Sequence, residues 1–247
     1  MIEFIDIHKS FGDKAVLRGV SLRVEEGHVL TIIGTSGAGK SVLVKHLVGL
    51  LRPDSGRIIL DGEDITHLSE EDYYRIRRKC AMVFQHSTLF DSMTLLDNVA
   101  LPYRKHHKLS KAEAQRAAEA KLELVHMAEA KHRYPADVGG GMRKRVAIAR
   151  ALTLDPEFVI FDEPTTGLDP MAAANVDDLI RGLRNDTGVT SIVVSHDLRS
   201  IFTVADRIAM IYQGKIQLQG TPQEFRDSDD PYVSQFITGR SDGPLVI

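Results

Sequence analysis

Residues 34–41 combine residue types and spacing that suit phosphate binding. They lie between an apolar run at residues 29–33 and a helical pattern at residues 42–51, and they read Gly34, Thr35, Ser36, Gly37, Ala38, Gly39, Lys40 and Ser41. Glycines let the backbone wrap tightly, so that its N–H groups and the positive end of a helix dipole can face an anion. Lys40 is predicted to reach the β- and γ-phosphates of a nucleoside triphosphate, and the Ser41 hydroxyl to bind Mg²⁺. An ordinary glycine-rich turn is the alternative, but the complete spacing and both flanks favour a phosphate loop.

Two adjacent carboxylates, Asp162 and Glu163, follow a second apolar run at residues 158–161. A continuous apolar run is typical of a strand covered on both faces, and ligands gather at the carboxyl ends of such strands. Burying carboxylates there costs free energy unless they interact with something. Asp162 is predicted to hold Mg²⁺ through water, and Glu163 to polarise the water that attacks the γ-phosphate. A solvated acidic turn is the alternative.

Two more polar side chains end apolar runs and are predicted at the same sheet edge. Gln85 follows residues 80–84, and its amide oxygen could bind a metal ion or a water molecule. His196 follows residues 192–194 one position later, and a neutral imidazole there could donate to the γ-phosphate. Taken alone, a residue of either kind is more often structural. The prediction of a functional role therefore depends on their expected position beside the phosphate loop.

Two weaker signals lie elsewhere in the chain. Gly139, Gly140 and Gly141 open a basic helical pattern at residues 143–154, and their backbone N–H groups form a second candidate anion site. Glycine-rich helix starts are common, so this signal is weak alone. Phe11 precedes a Gly12-Asp13 turn, where it could stack on a purine base or plug the first hairpin. The sequence leaves these two interpretations of Phe11 open.

Composition limits the classes of protein that fit. The chain has 247 residues, 43% hydrophobic and 26% charged, which is ordinary for a globular protein. Its net charge of −3 disfavours a general nucleic-acid binder, which needs a basic face. The one cysteine, Cys80, is expected to be a small buried residue in a reducing compartment. Without a signal pattern or an apolar run of about 20 residues, the protein is predicted to be cytosolic and to meet a membrane only through a partner.

Periodicity predicts an α/β fold in which strands and helices alternate around a helical stretch. Strands are predicted at residues 2–7, 20–24, 57–60, 80–84, 158–161, 192–194, 207–212 and 215–219. Helices are predicted at residues 73–79, 93–103, 111–130, 143–154 and 171–183, with a short acidic helix in the tail. The second helix should end near Pro102, leaving residues 103–108 as a solvated basic turn, and Ser110 should cap the third.

These residues, in this order, resemble the ATPase subunit of ABC transporters over almost the whole chain. Residues 34–41 look like Walker A, residues 159–163 like Walker B with its catalytic glutamate, and residues 138–142 fall where the signature motif belongs. Gln85 is similar to the Q-loop glutamine, Asp169 to the D-loop aspartate, His196 to the switch histidine and Phe11 to the base-stacking aromatic.

The resemblance implies a RecA-like P-loop core with an antiparallel β subdomain and an inserted helical subdomain. The core and β subdomain would be residues 1–85 and 153–220, the helical subdomain residues 86–152, and the tail residues 221–247. It also implies a homodimer in which two ATP molecules with Mg²⁺ lie between Walker A of one copy and the signature of the other. Glu163, His196 and Gln85 would act in hydrolysis, and Ser41, Gln85 and Asp162 would hold the metal.

One residue departs from the family pattern. The signature serine is Gly139 here, so no hydroxyl can reach the partner's γ-phosphate. A hydrogen bond to a charged group contributes about 1.5–3 kcal/mol, so sandwich formation or turnover would fall about tenfold to a hundredfold without compensation. The backbone donors of Gly140 and Gly141 remain.

Within the family, residues 97–104, Met142 with the basic residues after it, and the tail segments 235–239 and 242–244 resemble the Mla/MCE-linked ATPases. That branch implies transport of phospholipid or other hydrophobic cargo from the cytoplasmic face of a bacterial inner membrane. Its partners would be a permease, an MCE-domain protein and in some systems a STAS-domain protein, and the tail would contact the other ATPase copy.

Three alternatives remain at the level of sequence. The first is the ATPase of an amino-acid or other small-solute importer, which would share the chemistry and differ in its membrane partners. The second is a nucleotide-gated clamp, which only Gly139 favours, and which Glu163 and the lack of a long coiled coil disfavour. The third is a small-molecule kinase, which would need neither signature nor D-loop.

Overall fold

The computed structural model describes residues 1–245, which form ten strands and nine α-helices. The strands are β1 Ile2–Phe11, β2 Lys14–Val24, β3 Val29–Ile33, β4 Ser55–Leu60, β5 Glu63–Asp64, β6 Cys80–Val83, β7 Phe158–Asp162, β8 Thr190–Val194, β9 Arg207–Tyr212 and β10 Lys215–Gly220. The helices are α1 Lys40–Leu47, α2 Glu70–Lys79, α3 Leu95–His106, α4 Lys111–Leu124, α5 Gly140–Ala151, α6 Pro170–Thr187, α7 Leu198–Val204, α8 Pro222–Arg226 and α9 Pro231–Thr238.

The larger sheet has six strands in the order β10-β9-β3-β8-β7-β6. Strands β9, β3, β8, β7 and β6 run parallel, and β10 pairs antiparallel at the edge. Strands β3, β7 and β8 are buried along their whole length, as expected when helices cover both faces of a parallel sheet. The carboxyl ends of β3, β6, β7 and β8 therefore meet at one edge, which carries residues 34–41, Gln85, Asp162 and His196.

A second, antiparallel sheet has the order β2-β1-β4-β5 and packs on the same apolar core as α1 and α2. The helical stretch α3–α5 has its own buried cluster, which continues onto α6 and one face of the large sheet. These features confirm the predicted P-loop α/β fold with an added antiparallel sheet and inserted helices. Within residues 1–245, no helix combines the length and apolar character that a bilayer crossing needs.

The prediction that the helix ends near Pro102 is wrong. Helix α3 continues past the proline to His106, and His107 N–H still donates to the Tyr103 carbonyl at 3.0 Å. The solvated basic turn predicted for residues 103–108 is accordingly wrong over most of its length. Proline removes one backbone donor at a cost of about 3 kcal/mol. Packing of α3 against α4 and α5 offsets that cost.

Three predicted helix ends lie too far along the chain, and one of them is that of α5, which ends at Ala151 where the prediction was residue 154. Helix α1 ends at Leu47, because Gly49 adopts a left-handed φ of 67° and turns the chain. Helix α4 has the predicted Ser110 cap, a capping box with Glu113, but it ends at Leu124. His126 then takes a φ of 54°, which breaks the helical path before a short 3₁₀ turn at Ala128–Ala130.

The predicted tail, residues 221–247, begins with two short helices in place of one. Helices α8 and α9 place Phe225 and Val233 in a third apolar cluster with Ile33 and Met210. Leu245 joins the same cluster, and Gln235 Oε1 accepts a 2.7 Å hydrogen bond from the Leu245 N–H. Residues 1–245 thus include a tail that packs against β9 and β10, while residues 246–247 of the predicted tail lie outside the described residues.

Candidate functional site

The phosphate loop, residues 34–41, joins β3 to α1 and depends on glycine at two crowded positions. Gly34 has a φ of 145°, and a Cβ added there would lie 2.1 Å from the Ile211 carbonyl oxygen. Gly39 has a φ of 103°, and its Cβ would lie 2.7 Å from Leu17 Cδ2. The neighbouring elements therefore leave no space for a side chain at Gly34 or Gly39. Glycine at such positions also lets the loop backbone approach a phosphate closely.

Lys40 points back into the phosphate loop. Its Nζ donates to the carbonyl oxygens of Gly34 at 2.9 Å and Thr35 at 3.0 Å. Burial lowers the pKa of Lys40, and the charges of Glu163 and Asp162 oppose that shift. In this structure the Lys40 ammonium donates to carbonyls of the loop, so binding a phosphate requires it to exchange these carbonyls for phosphate oxygens.

Ser41 and Asp162 form a pair of oxygen ligands at the start of α1. The Ser41 Oγ donates to Asp162 Oδ1 at 2.6 Å, which joins the phosphate loop to the carboxyl end of β7. A hydroxyl and a carboxylate are the ligands that Mg²⁺ uses when a nucleotide phosphate and water complete its shell. The residues present therefore fit the predicted metal.

Glu163 is the point at which the separate strand ends converge. Its Oε2 accepts from Thr166 Oγ1 at 2.8 Å, lies 3.3 Å from His196 Nδ1 and receives a long contact of 3.5 Å from Gln85 Nε2. The residue has a left-handed φ of 51°, and its N–H donates to the Val194 carbonyl of β8 at 2.9 Å. Left-handed backbone strain in a non-glycine residue clusters at functional sites.

His196 is half exposed, with 55% of its side chain accessible, whereas the Glu163 side chain is 17% accessible. A neutral imidazole carries one ring proton. With that proton on Nδ1, His196 donates to Glu163 and orients it. The other nitrogen, Nε2, then has no proton to donate, so in a neutral ring the observed contact with Glu163 and the predicted donation to the γ-phosphate compete for the same proton.

A cavity of about 580 Å³ brings these parts together. Its lining from the core comprises Gly34, Thr35, Ser36, Lys40, Gln85, Glu163, Thr166 and His196. The tail contributes the rest of the lining, which comprises Gln235, Phe236, Gly239, Arg240 and Leu245. Neither Thr166 nor these tail residues were singled out from the sequence as site residues.

The signature segment, residues 138–142, lies away from this cavity and contacts α6. Gly139 is the N-cap of α5 with a φ of −68°, and a Cβ there would meet nothing within 4 Å. A Cβ on Gly141 would lie 2.8 Å from the Ala172 Cβ. Asp169, the residue similar to the D-loop aspartate, caps α6 by accepting from the N–H groups of Met171 and Ala172 at 3.0 Å each.

Phe11 ends β1 with 47% of its surface exposed, so it does not plug the hairpin. The Lys9 ammonium lies 5.5 Å from its ring centroid, and Phe11 is outside the lining of the 580 Å³ cavity. The remaining interpretation, stacking on a base, stays a prediction.

Sequence reasoning missed Lys144, which is 2% exposed on α5. Its Nζ donates to the carbonyl oxygens of Phe84 at 3.1 Å and Gln85 at 2.6 Å. Burial lowers the pKa of Lys144 to about 8, against the opposing charges of Asp162 and Glu163. A lysine among the apolar positions of an amphipathic helix could have indicated a buried functional cation. The neighbouring basic residues made this lysine look like part of a solvated face.

A phosphate loop after a buried parallel strand, with an acidic pair at the end of a neighbouring strand, defines a P-loop nucleoside triphosphatase. Residues 17–166 also match the family model described as "ABC transporter". The chain belongs to the ABC transporter family and is an ATP-binding and ATP-hydrolysing subunit of that type.

Relatives and solved structures agree with this assignment. The chain is 38% identical over 245 residues to "Intermembrane phospholipid transport system ATP-binding protein MlaF" of Haemophilus influenzae, covering 99% of this chain and 93% of that protein. It is 39% identical over 244 residues to "Probable ribonucleotide transport ATP-binding protein mkl" of Mycobacterium tuberculosis, covering 99% and 68%. The dimeric ATP-binding cassette MJ0796 bound to ADP and Pi superposes with a TM-score of 0.82 at 29% identity, covering 90% of this chain and 98% of that one.

Proposed function

We propose that this chain is the ATPase of a bacterial transporter that moves phospholipid or another hydrophobic cargo across the cell envelope. It would bind as a peripheral subunit to the cytoplasmic side of the inner membrane. The MlaF relatives of Haemophilus influenzae and Escherichia coli K12 support this cargo class, because the alignment spans 93% and 91% of their lengths. The alignment with the mycobacterial mkl protein spans only 68% of that protein.

The proposal for the chemistry rests on one observation. A single cavity brings Glu163 together with Lys40, Gln85 and His196. Lys40 would exchange its two loop carbonyls for the β- and γ-phosphate oxygens of ATP. Glu163, with its Oε2 fixed by Thr166 and His196, would orient the attacking water and accept its proton. Gln85 would complete the shell around that water. Mg²⁺, held by Ser41 and Asp162 with Gln85, would neutralise charge that develops on the phosphates.

A second copy of the chain would complete each ATP site. The signature segment lies outside the cavity of its own chain and presents Gly139, Gly140 and Gly141 at the start of α5. Backbone N–H groups and the helix dipole would contact the partner's γ-phosphate there. Asp169 would keep its cap on α6 while the D-loop lies at the dimer interface. Phe11 would stack on the adenine.

Further partners follow from the same proposal. A permease would receive the movement of residues 86–152, the helical subdomain, while residues 1–85 and 153–220 hold the nucleotide. An MCE-domain protein, and a STAS-domain protein in some systems, would complete the transporter. The tail at residues 221–247 would contact the other ATPase copy after leaving the cavity wall. No nucleic-acid partner is proposed, because the net charge is −3.

A small-solute importer is the second candidate. The name of the Mycobacterium tuberculosis relative, which refers to ribonucleotide transport, favours it. The same ATPase chemistry would then serve a different permease.

Copurification tests the proposal. The tagged full-length protein is expressed in its native host, solubilised in mild detergent and captured, with an untagged strain as the control. Capture of a permease with an MCE-domain protein is expected. A permease with a periplasmic solute-binding protein would establish the importer instead, and absence of any membrane protein would favour a nucleotide-gated clamp.

A further inference from the structure

Lys144 is a buried cation that hydrogen bonds only to backbone. Its ammonium donates to the Phe84 and Gln85 carbonyls, and within residues 1–245 no carboxylate oxygen lies within 4 Å of it. A buried charge is destabilising unless it is well compensated, and an apolar residue of similar volume often stabilises such a position more. Contribution to core stability alone is therefore a poor account of this lysine.

A second cation on α5 holds the other end of the same segment. Arg150 donates to the Thr88 carbonyl at 3.0 Å, to Thr88 Oγ1 at 3.1 Å and to the Ser87 carbonyl at 3.5 Å. Residues 84–88, called the glutamine segment below, leave the end of β6 and have no regular secondary structure. Two α5 side chains thus fix the backbone on both sides of Gln85.

The hydrogen bonds of Lys144 lie next to the residues that we propose act in hydrolysis. The 2.6 Å bond from Lys144 is made to the carbonyl of Gln85 itself, and the side chain of that residue reaches Glu163 at 3.5 Å. The same helix begins at Gly140 in the signature segment, and Gly141 packs against Ala172 of α6. One rigid helix therefore connects the signature segment to the backbone that carries Gln85.

We propose that Lys144 is a positioning residue, which sets the Gln85 carboxamide against Glu163 and makes the glutamine segment move together with the signature helix α5. The inference rests on the proposed roles of Gln85 and Glu163 in hydrolysis and is independent of the cargo. A movement of α5 on contact with a partner copy is transmitted to Gln85 through the Lys144 bonds. ATP contacts at the phosphate loop do not involve Lys144.

The test replaces Lys144 with methionine, an unbranched helix former that fills the same space without donors. In the purified full-length protein or its transporter complex, kcat is measured by phosphate release and the Kd for ATP by calorimetry. Loss of a charged hydrogen-bond donor predicts that kcat falls about tenfold to a hundredfold, with the Kd for ATP within about threefold because the phosphate loop is intact. Lys144→Arg, which can still donate to both carbonyls, should recover most of the loss.

Arg145→Met is the matched control. Arg145 is the next residue on α5 and also donates to backbone carbonyls, those of Val125 and His126, which lie away from the glutamine segment. Its kcat should stay near wild type. If Arg145→Met loses as much activity as Lys144→Met, general loosening of α5 explains the effect and the proposal is wrong.

A double variant decides whether Lys144 acts through Gln85. Lys144→Met combined with Gln85→Ala should have the same kcat as Gln85→Ala alone. Once the Gln85 carboxamide is removed, Lys144 has no side chain left to position. Additive losses would overturn the proposal, as would wild-type kcat in Lys144→Met or a loss of ATP affinity that matches the loss of kcat. A cargo other than lipid would change none of these ratios, whereas failure of the proposed hydrolytic roles would show as full activity in Glu163→Gln.

Discussion

The chain contains two glycine-rich helix starts that differ in how complete they are. The phosphate loop is closed by its own chain, since Ile211 and Leu17 leave no space for side chains at Gly34 and Gly39, and Lys40 supplies a cation. The signature segment is open at its first glycine, since Gly139 has a negative φ and nothing within 4 Å of an added Cβ. In the proposed dimer, the first start would form one half of an ATP site, and the second would offer backbone donors to the ATP bound by the other copy.

The two starts also differ in their cations. Lys40 lies in the loop itself and reaches the ligand cavity, whereas Lys144 lies one turn into α5 and reaches backwards to the glutamine segment. Within one chain, the lysine that we propose binds phosphate lies at the first start, and the lysine that we propose positions Gln85 lies at the second. Variants at the two starts should separate ATP binding from turnover.

The largest effect is expected for Glu163→Gln. The amide keeps the shape and the contacts with Thr166 and His196 but cannot accept a proton, so turnover should fall about 10²- to 10⁴-fold. ATP-bound dimers should accumulate at the same time, as seen by size-exclusion chromatography with ATP. Undiminished phosphate release would exclude this role for Glu163.

Gly34→Ala should abolish ATP binding and destabilise the protein by about 3 kcal/mol or more, because its Cβ would overlap the Ile211 carbonyl at a φ that alanine avoids. Gly37→Ala is the matched control, with a φ of 77° and nothing within 4 Å of its Cβ. Only the backbone cost of about 1–2 kcal/mol applies there. If urea unfolding shows the same loss of unfolding free energy in both variants, Gly34 is not more crowded than Gly37 and this account of the loop is wrong.

The pH dependence of stability should report on Asp177, which lies on α6 and is 3% exposed. Burial raises its pKa to about 6, although Ser200 Oγ donates to it at 2.8 Å. A raised pKa means that the folded state binds the extra proton, so this contribution is present below pH 4 and is lost as the pH rises through about 6.

Asp177→Asn should therefore stabilise the protein at pH 7.5 by as much as about 3 kcal/mol, from a pKa difference of about 2. The gain should shrink towards pH 4. Asp178→Asn, whose side chain is 73% exposed on the same helix, should show little pH-dependent change. If urea unfolding shows that Asp177→Asn raises the unfolding free energy equally at pH 4 and pH 7.5, the raised pKa of Asp177 is not its cause.

The smallest effect concerns the open helix start. Gly139→Ser has room for its side chain and restores a hydroxyl donor, so ATPase activity in the complex should rise about tenfold. Gly139→Ala adds the Cβ without the hydroxyl and should leave activity near wild type. An equal rise in both variants would mean that helix stability, and not the hydroxyl, limits turnover.

Much of the large sheet could be predicted because its strands are apolar runs that end in polar residues, as at Asp162 and His196. The edge at which they converge follows from parallel topology. Pro102 misled the prediction because its cost is local and the packing of α3 that offsets it is not visible in the sequence. Lys144 was missed because its acceptors are backbone carbonyls about 60 residues away. The tail wall of the cavity, from Gln235 to Leu245, depends likewise on contacts distant in sequence.

The central claim is that the signature segment of one chain meets the phosphate loop of another across ATP. Cross-linking tests it most directly, with Ser36→Cys and Gly139→Cys in one chain, both exposed or open positions. The native Cys80 can remain, because burial raises its pKa to about 12 and keeps it unreactive. With a short bismaleimide, a species of twice the chain mass should form only when ATP is present and only with both substitutions. If ATP yields no such species, or the link forms within one chain, the account is contradicted.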